Sequence, residues 1–290
     1  MTLLSLVVSG LALGSIYALI GVSLVIISKA TDVVNFGQGE MAMFGAFLTL
    51  TLLRQTDMPL WLAVLATLPI GFLLGALVQL IVVRPIENAP ALNVLISTLG
   101  LFFVFNSAAG IVWGFDPHPF PSLFELAPIT VGGVAVTPAS LGIIAVALSV
   151  MFALYLFFEK TRWGTAMRAA SMNRTAARMM GIRVEHVAVA AWGLAGGLSV
   201  ISAVLIAPLT FLDQQMMVSI ILKGFAGAIL GGFSSLPGSV IGCLILGVAE
   251  TLFGAYVSTS MKDSFAFVLI ILVLLLRPSG VFVTNRAKKV

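Results

Sequence analysis

The sequence predicts an all-α, polytopic membrane bundle, and three observations carry that prediction. Charged residues are 9% of the 290, against 60% hydrophobic, where a soluble domain carries about 25% charge. The mean hydropathy is +1.16. Uncharged runs recur along the chain, most of them about as long as the ~20 residues a helix needs to cross a bilayer. About 8–10 such segments consume the whole length, so residues 1–290 read as one transmembrane domain with no room for a sizeable soluble one.

The segments follow in order. Residues 1–28 are uncharged; no basic residue precedes the run and it is longer than a signal-peptide core, so it is expected to be a retained helix. Residues 41–53 form a shorter apolar run that needs its neighbours or a tilt to span. Residues 58–83, 88–115, 126–158 and 187–212 each hold a full span. Residues 216–232 and 236–258 count as two, because Gly231, Gly232, Pro237 and Gly238 break the run between them. Residues 264–276 complete a count of nine.

Charge orients this array. The connection 159–187 holds Lys160, Arg162, Arg168, Arg174, Arg178 and Arg183, and the tail adds Arg277, Arg286, Lys288 and Lys289. Both are expected on the cytoplasmic side of the cell (inner) membrane by the positive-inside rule, and the four segments between them agree with that. Counting back places the N-terminus outside, together with the Pro-rich loop 114–138. Lys29 and Arg84 then fall inside, Arg54 and Lys262 outside. A net charge of +4 so distributed marks cytoplasmic loops rather than nucleic-acid binding.

Catalytic chemistry finds no support. Cys243 is the single cysteine, and His118 and His186 are far apart, so the spacing offers no disulfide and no metal or redox pair. The chain contains no phosphate loop, no His-Glu-x-x-His and no Gly-x-Ser-x-Gly. It is expected to be a transport subunit rather than an enzyme, with energy drawn from a partner or an ion gradient.

The long inner loop is the most informative stretch. Thr165 can cap a helix over 166–180, and Gly181 is a natural stop. Ala169, Met172, Ala176 and Met179 recur on one face, with Arg168, Ser171, Thr175 and Arg178 on another and Arg174 beside them. Such a basic amphipathic helix either lies on anionic membrane lipid or inserts into a groove of a cytoplasmic partner; the size of the loop favours the partner.

Two breaks stand out in the apolar segments. Asn35-Phe36-Gly37-Gln38-Gly39-Glu40 opens the second segment with polar groups. It is either a broken, re-entrant helix lining a solute path or an inner-face turn with Glu40 near a helix N-terminus. The second break carries Gly224, Gly227, Gly231, Gly232 and Gly238 with Pro237, and close helix packing accounts for most of these glycines. Lys223 and Glu250 are the ionisable residues set deepest in the second half and are expected to pair.

These residues resemble a known family: the membrane permease subunits of ABC importers for branched-chain amino acids, the Liv type, with the related urea and amide permeases. The resemblance runs through Gly10-Leu11-Ala12-Leu13-Gly14-Ser15-Ile16-Tyr17-Ala18-Leu19 and the segment from Asn35, where Gly37 replaces the family's common Ala. It continues through Arg84-Pro85, Leu95-Ile96-Ser97-Thr98-Leu99-Gly100, the loop containing Arg168-Ala169-Ala170 and Gly181-Ile182, then Gly231-Gly232-Phe233-Ser234-Ser235-Leu236-Pro237-Gly238 and Arg277-Pro278-Ser279-Gly280. It implies that the inner loop is a coupling helix, carrying Arg168, Ala169, Ala170, Met172, Arg174, Arg178, Met179, Gly181 and Ile182 to a cleft on the ATPase. It further implies a second homologous permease, two cytoplasmic ATPase subunits that bind the ATP and Mg, an extracytoplasmic solute-binding protein, and no cofactor in this chain. Asn35, Gly37, Gln38, Gly39 and Glu40 are path candidates by position. A urea or short-chain amide permease, a proton-coupled secondary carrier and a passive channel for a small neutral solute are the competing readings.

Overall fold

The computed structural model describes residues 3–87, 89–124, 129–131, 134–233 and 235–276. Its helices are α1 (Leu3–Thr31), α2 (Gln38–Thr56), α3 (Leu60–Val78), α4 (Ala91–Trp113), α5 (Pro138–Lys160), α6 (Arg162–Met172), α7 (Arg174–Met179), α8 (Val184–Thr210), α9 (Val218–Gly231), α10 (Leu236–Tyr256) and α11 (Lys262–Leu276). A π turn (Gln79–Val83) and a 3-10 turn (Arg84–Ile86) prolong α3. All nine expected segments fall on helices, and six of them are long and apolar enough to cross a membrane by themselves. The shortest, α9, has 14 residues; at 1.5 Å rise per residue that is about 21 Å, short of the ~30 Å hydrocarbon core.

One expectation is corrected in the loop 114–138. The run 126–158 is not helical throughout. An antiparallel hairpin, β1 (Ile129–Val131) and β2 (Val134–Val136), precedes α5, which starts only at Pro138, a residue suited to a first helical turn. His118 pairs by both backbone groups with Leu212, at 2.9 Å each way, tying this loop to the connection after α8. The motif at Arg277-Pro278-Ser279-Gly280, the basic tail, Glu125 and Ser234 lie outside the described residues.

The bundle is built around α1 and α8. The most apolar stretch of α1 is 89% buried, against 11% for α5, so α1 is the axis and α5 lies at the periphery of the bundle. α1 packs on α10, α9, α8 and α5, and α8 also carries α3 and α2. Glycines set the close contacts. A Cβ on Gly14 would sit 2.8 Å from Leu244 Cα, and one on Gly75 would sit 2.1 Å from the Trp192 carbonyl oxygen. Helices that have only van der Waals contact and small residues to hold them in lipid approach this way.

Candidate functional site

The first candidate is the connection between α5 and α8. Thr161 Oγ1 accepts from the Gly164 N–H at 3.0 Å and starts α6. Asn173, extended at φ −158°, accepts on Oδ1 from the Ala176 N–H at 3.0 Å and starts α7. The single helix expected over 166–180 is therefore two, and its cap is Thr161. Thr165 lies inside the first turn, donating to the Thr161 carbonyl at 3.1 Å. The cause is Asn173, whose short amide competes with the backbone for hydrogen bonds and favours a cap over a helix interior. Gly181 does end the element: it has φ +81°, and the Ile182 N–H reaches back to the Ala177 carbonyl at 3.0 Å, the pattern of a glycine-stopped helix.

This helical pair is bolted to the bundle on one side only. Met167, Ala170 and Ala177 are buried among residues of α1 and α8, with Ile182 packed against them. The Arg174 guanidinium donates to the Ala30 carbonyl near the end of α1 and lies 3.9 Å from Asp32. Arg178 pairs with Glu185 at 2.8 Å, and Arg168 with Glu159. The outward side presents methionines among polar residues: Met172, Met179 and Met180 are 87%, 81% and 83% exposed, and Ser171, Asn173 and Thr175 are exposed beside them. The expected stripe survives in part. Met172, Ala176 and Met179 face out, Met180 joins them, and Ala169 of α6 is half-buried.

The second candidate lies at mid-span. Gln38 Nε2 donates to the Ala195 carbonyl at 3.0 Å and to Ser199 Oγ at 2.6 Å. Both acceptors are near the middle of the 27-residue α8, so α2 begins halfway through the bundle. Asn35 builds the turn: its Oδ1 accepts from the Gly37 N–H at 3.1 Å, and its Nδ2 donates to Gln38 Oε1 at 2.7 Å. Gly39 abuts the start of α9, where a Cβ would lie 3.3 Å from Met217 Cβ. Gly37 packs on α4, where a Cβ would lie 3.0 Å from Leu101 Cβ. The N-terminal turns of α2 and α9 thus meet with Glu40 beside them, a favourable place for a carboxylate. Asn106 of α4 donates to Glu40 Oε2 at 3.2 Å and to the Gln214 carbonyl at 3.0 Å. The side chains of Asn35, Gln38 and Glu40 are buried.

The Gly-rich break resolves into a turn. Gly231 ends α9, Gly232 turns at φ +105°, Ser235 Oγ caps α10 by accepting from the Gly238 N–H at 3.2 Å, and Pro237 sits in the first turn. A Cβ on Gly231 would collide with the Gly238 carbonyl. Lys223 and Glu250 do pair, at 2.7 Å. Asp263 at 2.5 Å from the same ammonium and the Tyr17 hydroxyl, donating to Glu250 at 3.1 Å, extend the cluster over four helices. These groups hold α1, α9, α10 and α11 together. Ser199 Oγ also donates to Ser23 Oγ at 3.4 Å. Ser23, Asn106, Ser199 and Gln214 are members of the mid-span network that the sequence does not single out; their only signal is a polar side chain in or beside an apolar run.

Residues 6–274 match the family model described as "Branched-chain amino acid transport system / permease component". The chain is 30% identical over 295 residues to the high-affinity branched-chain amino acid transport system permease protein LivH of Salmonella typhimurium, covering 97% of this chain and 96% of that one. It is 31% identical over 297 residues to the permease protein BraD of the corresponding system of Pseudomonas aeruginosa, with 98% and 96% covered. A more distant similarity, 28% over 249 residues, links it to the autoinducer 2 import system permease protein LsrC of Salmonella paratyphi B, with 84% and 65% covered. No solved structure gives a significant match.

Proposed function

The chain belongs to the family of branched-chain amino acid transport permease components, and from that premise we propose that it is the membrane subunit of an ATP-driven importer for leucine, isoleucine and valine. It works with a second homologous permease, two cytoplasmic ATPases that hold the ATP and Mg, and an extracytoplasmic binding protein that delivers the solute. The α6–α7 pair is the part that receives ATPase motion. The observation that carries this assignment is its asymmetry: one side fastened to α1 and α8 through Met167, Ala170, Ala177 and Arg174, the other presenting three exposed methionines. Methionine adapts to an irregular groove, and an amphipathic helix laid into one is a recurring mode of recognition.

The orientation follows from the same element. α6 and α7 sit at the end of the bundle where α1 finishes, since Arg174 reaches Ala30; with that end cytoplasmic, residue 3 lies at the outer face. The path is placed beside Asn35, Gly37, Gln38, Gly39 and Glu40, where two helix N-termini meet at mid-span, as broken helices do around solutes in other transporters. Because these side chains are buried, transport requires α2 and α9 to part.

The test replaces Met179 with Glu. Arg178 is a poorer probe, since reversing its charge also sets two carboxylates side by side at Glu185. The Met179→Glu chain is expected to insert and fold normally but to lose ATPase co-purification and ATP-dependent leucine uptake. Undiminished association and uptake would remove the docking assignment. Uptake of leucine by this chain alone, driven by a pH gradient, would instead establish a secondary carrier, and ATP-driven uptake of urea or a short amide in place of leucine would move the substrate class.

A further inference from the structure

Between α3 and α5, over the surface of α8, runs an apolar crevice of about 740 Å³. Leu68, Phe72, Leu154, Phe157, Leu194 and Gly197 line it. It continues, through Phe72, Phe157 and Leu194, into a second cavity of about 700 Å³ toward the end that carries α6 and α7. There the lining changes character to Arg84, Trp163, Arg183, Glu185 and His186. Glu185 is engaged by Arg178 and also lies within electrostatic reach of Arg84, so the mouth, with Arg84 and Arg183 against this one shared acid, carries a net positive charge.

The geometry points to a binding site for one anionic phospholipid, its acyl chain lying in the crevice and its phosphate held by Arg84 and Arg183, with Trp163 at the headgroup level. Three features select this occupant. A long apolar slot opening into a mouth lined by two arginines matches a molecule with an apolar tail and an anionic head, and basic pockets between membrane helices bind such headgroups. Trp163 is half-exposed, as aromatic side chains are at a membrane interface. A helix from a second permease seated here would cover two guanidinium groups, at a high desolvation cost unless it brought acids to meet them. Gly197 supplies the room: a Cβ there would meet only the Leu68 carbonyl, at 3.8 Å, so this glycine serves the slot rather than a helix contact.

The experiment is native mass spectrometry of the full chain, purified in a neutral detergent and titrated with phosphatidylglycerol or with phosphatidylcholine of the same acyl composition. The wild-type chain is expected to retain the first phosphatidylglycerol roughly tenfold better than phosphatidylcholine, from the two arginines. The double variant Arg84→Ala/Arg183→Ala is expected to lose that preference while still binding lipid. Gly197→Phe, which fills the slot, is expected to lose the first lipid of either kind. Protection of the buried Cys243 thiol from a maleimide establishes that each variant is folded. Equal retention of the two lipids by the wild type, or an unchanged preference in the double variant, overturns the proposal, as does an unchanged first lipid in Gly197→Phe. A Gly197→Cys chain that cross-links in membranes to the second permease through that position also overturns it, by showing a protein in the crevice.

Discussion

Lys223 and Glu250 give the sharpest energetic prediction. Their side chains are 4% and 0% exposed, with 2.7 Å between Nζ and Oε1. In Lys223→Met, Glu250 keeps only the Tyr17 hydroxyl at 3.1 Å and the more distant Lys262 at 3.8 Å, and a buried charge stripped of its partner costs about 3–5 kcal/mol. In Glu250→Gln, the ammonium keeps Asp263 at 2.5 Å and the amide oxygen can still accept from it. The loss is then about that of a hydrogen bond to a charged group, roughly 1.5–3 kcal/mol. The double variant removes both charges, so its loss should fall short of the sum by on the order of 1–3 kcal/mol. The assay is SDS-titrated unfolding in mixed micelles, read through the reaction of Cys243 with a fluorogenic maleimide. That thiol is the only one in the chain, and it is buried against Gly21 and Gly227, so it reports opening of α1, α9 and α10. Equal losses in the two single variants, or an additive double variant, would refute the pairing argument.

Further outcomes follow from the same geometry and can be read with the same thiol assay unless stated. Gly75→Ala drives a methyl into the Trp192 carbonyl and should separate α3 from α8, with a loss of about 1–3 kcal/mol as for an overpacked core; Gly197→Ala, whose methyl makes only an ordinary contact with the Leu68 carbonyl at 3.8 Å, should be near neutral. Gln38→Leu leaves Asn35 and Ser199 without their shared partner and should cost about 1–3 kcal/mol, while leucine uptake falls further than stability does if the α2 turn borders the path. Asn173→Ala removes the cap of α7 and should cost about 1 kcal/mol, seen as faster amide exchange over 174–180 and weaker ATPase co-purification.

Much of this molecule was legible in order along the chain. Each apolar run contains a helix because lipid gives an unpaired backbone no other partner, so the count of nine segments needed only composition and length, although the run 126–158 opens with a hairpin. The Gly181 stop and the pairing of Lys223 with Glu250 were legible for similarly local reasons: a glycine tolerates positive φ, and a buried charge requires an opposite one. The helix over 166–180 was read as continuous because its Ala, Met and Arg are strong helix formers. The asparagine at 173, a capping residue in mid-run, was the signal that outweighed them. The polar residues from Asn35 to Glu40 announced a break but not its depth, which is set by Ala195 and Ser199, some 160 positions away.

What the sequence by itself determined is the class of object: a charge-poor helical membrane chain with most of its basic residues gathered in one loop and the tail, because the bilayer filters composition directly. The tertiary structure alone decided that α2 starts at mid-span against α9, which side of the α6–α7 pair is fastened and which is offered, and that α3 and α5 part over α8 to leave a basic-mouthed slot. Those features depend on which helices lie side by side. In a bundle where nearly every face is apolar, hydrophobic pattern cannot choose neighbours, and backbone contact at glycines and a few buried polar bonds choose them instead.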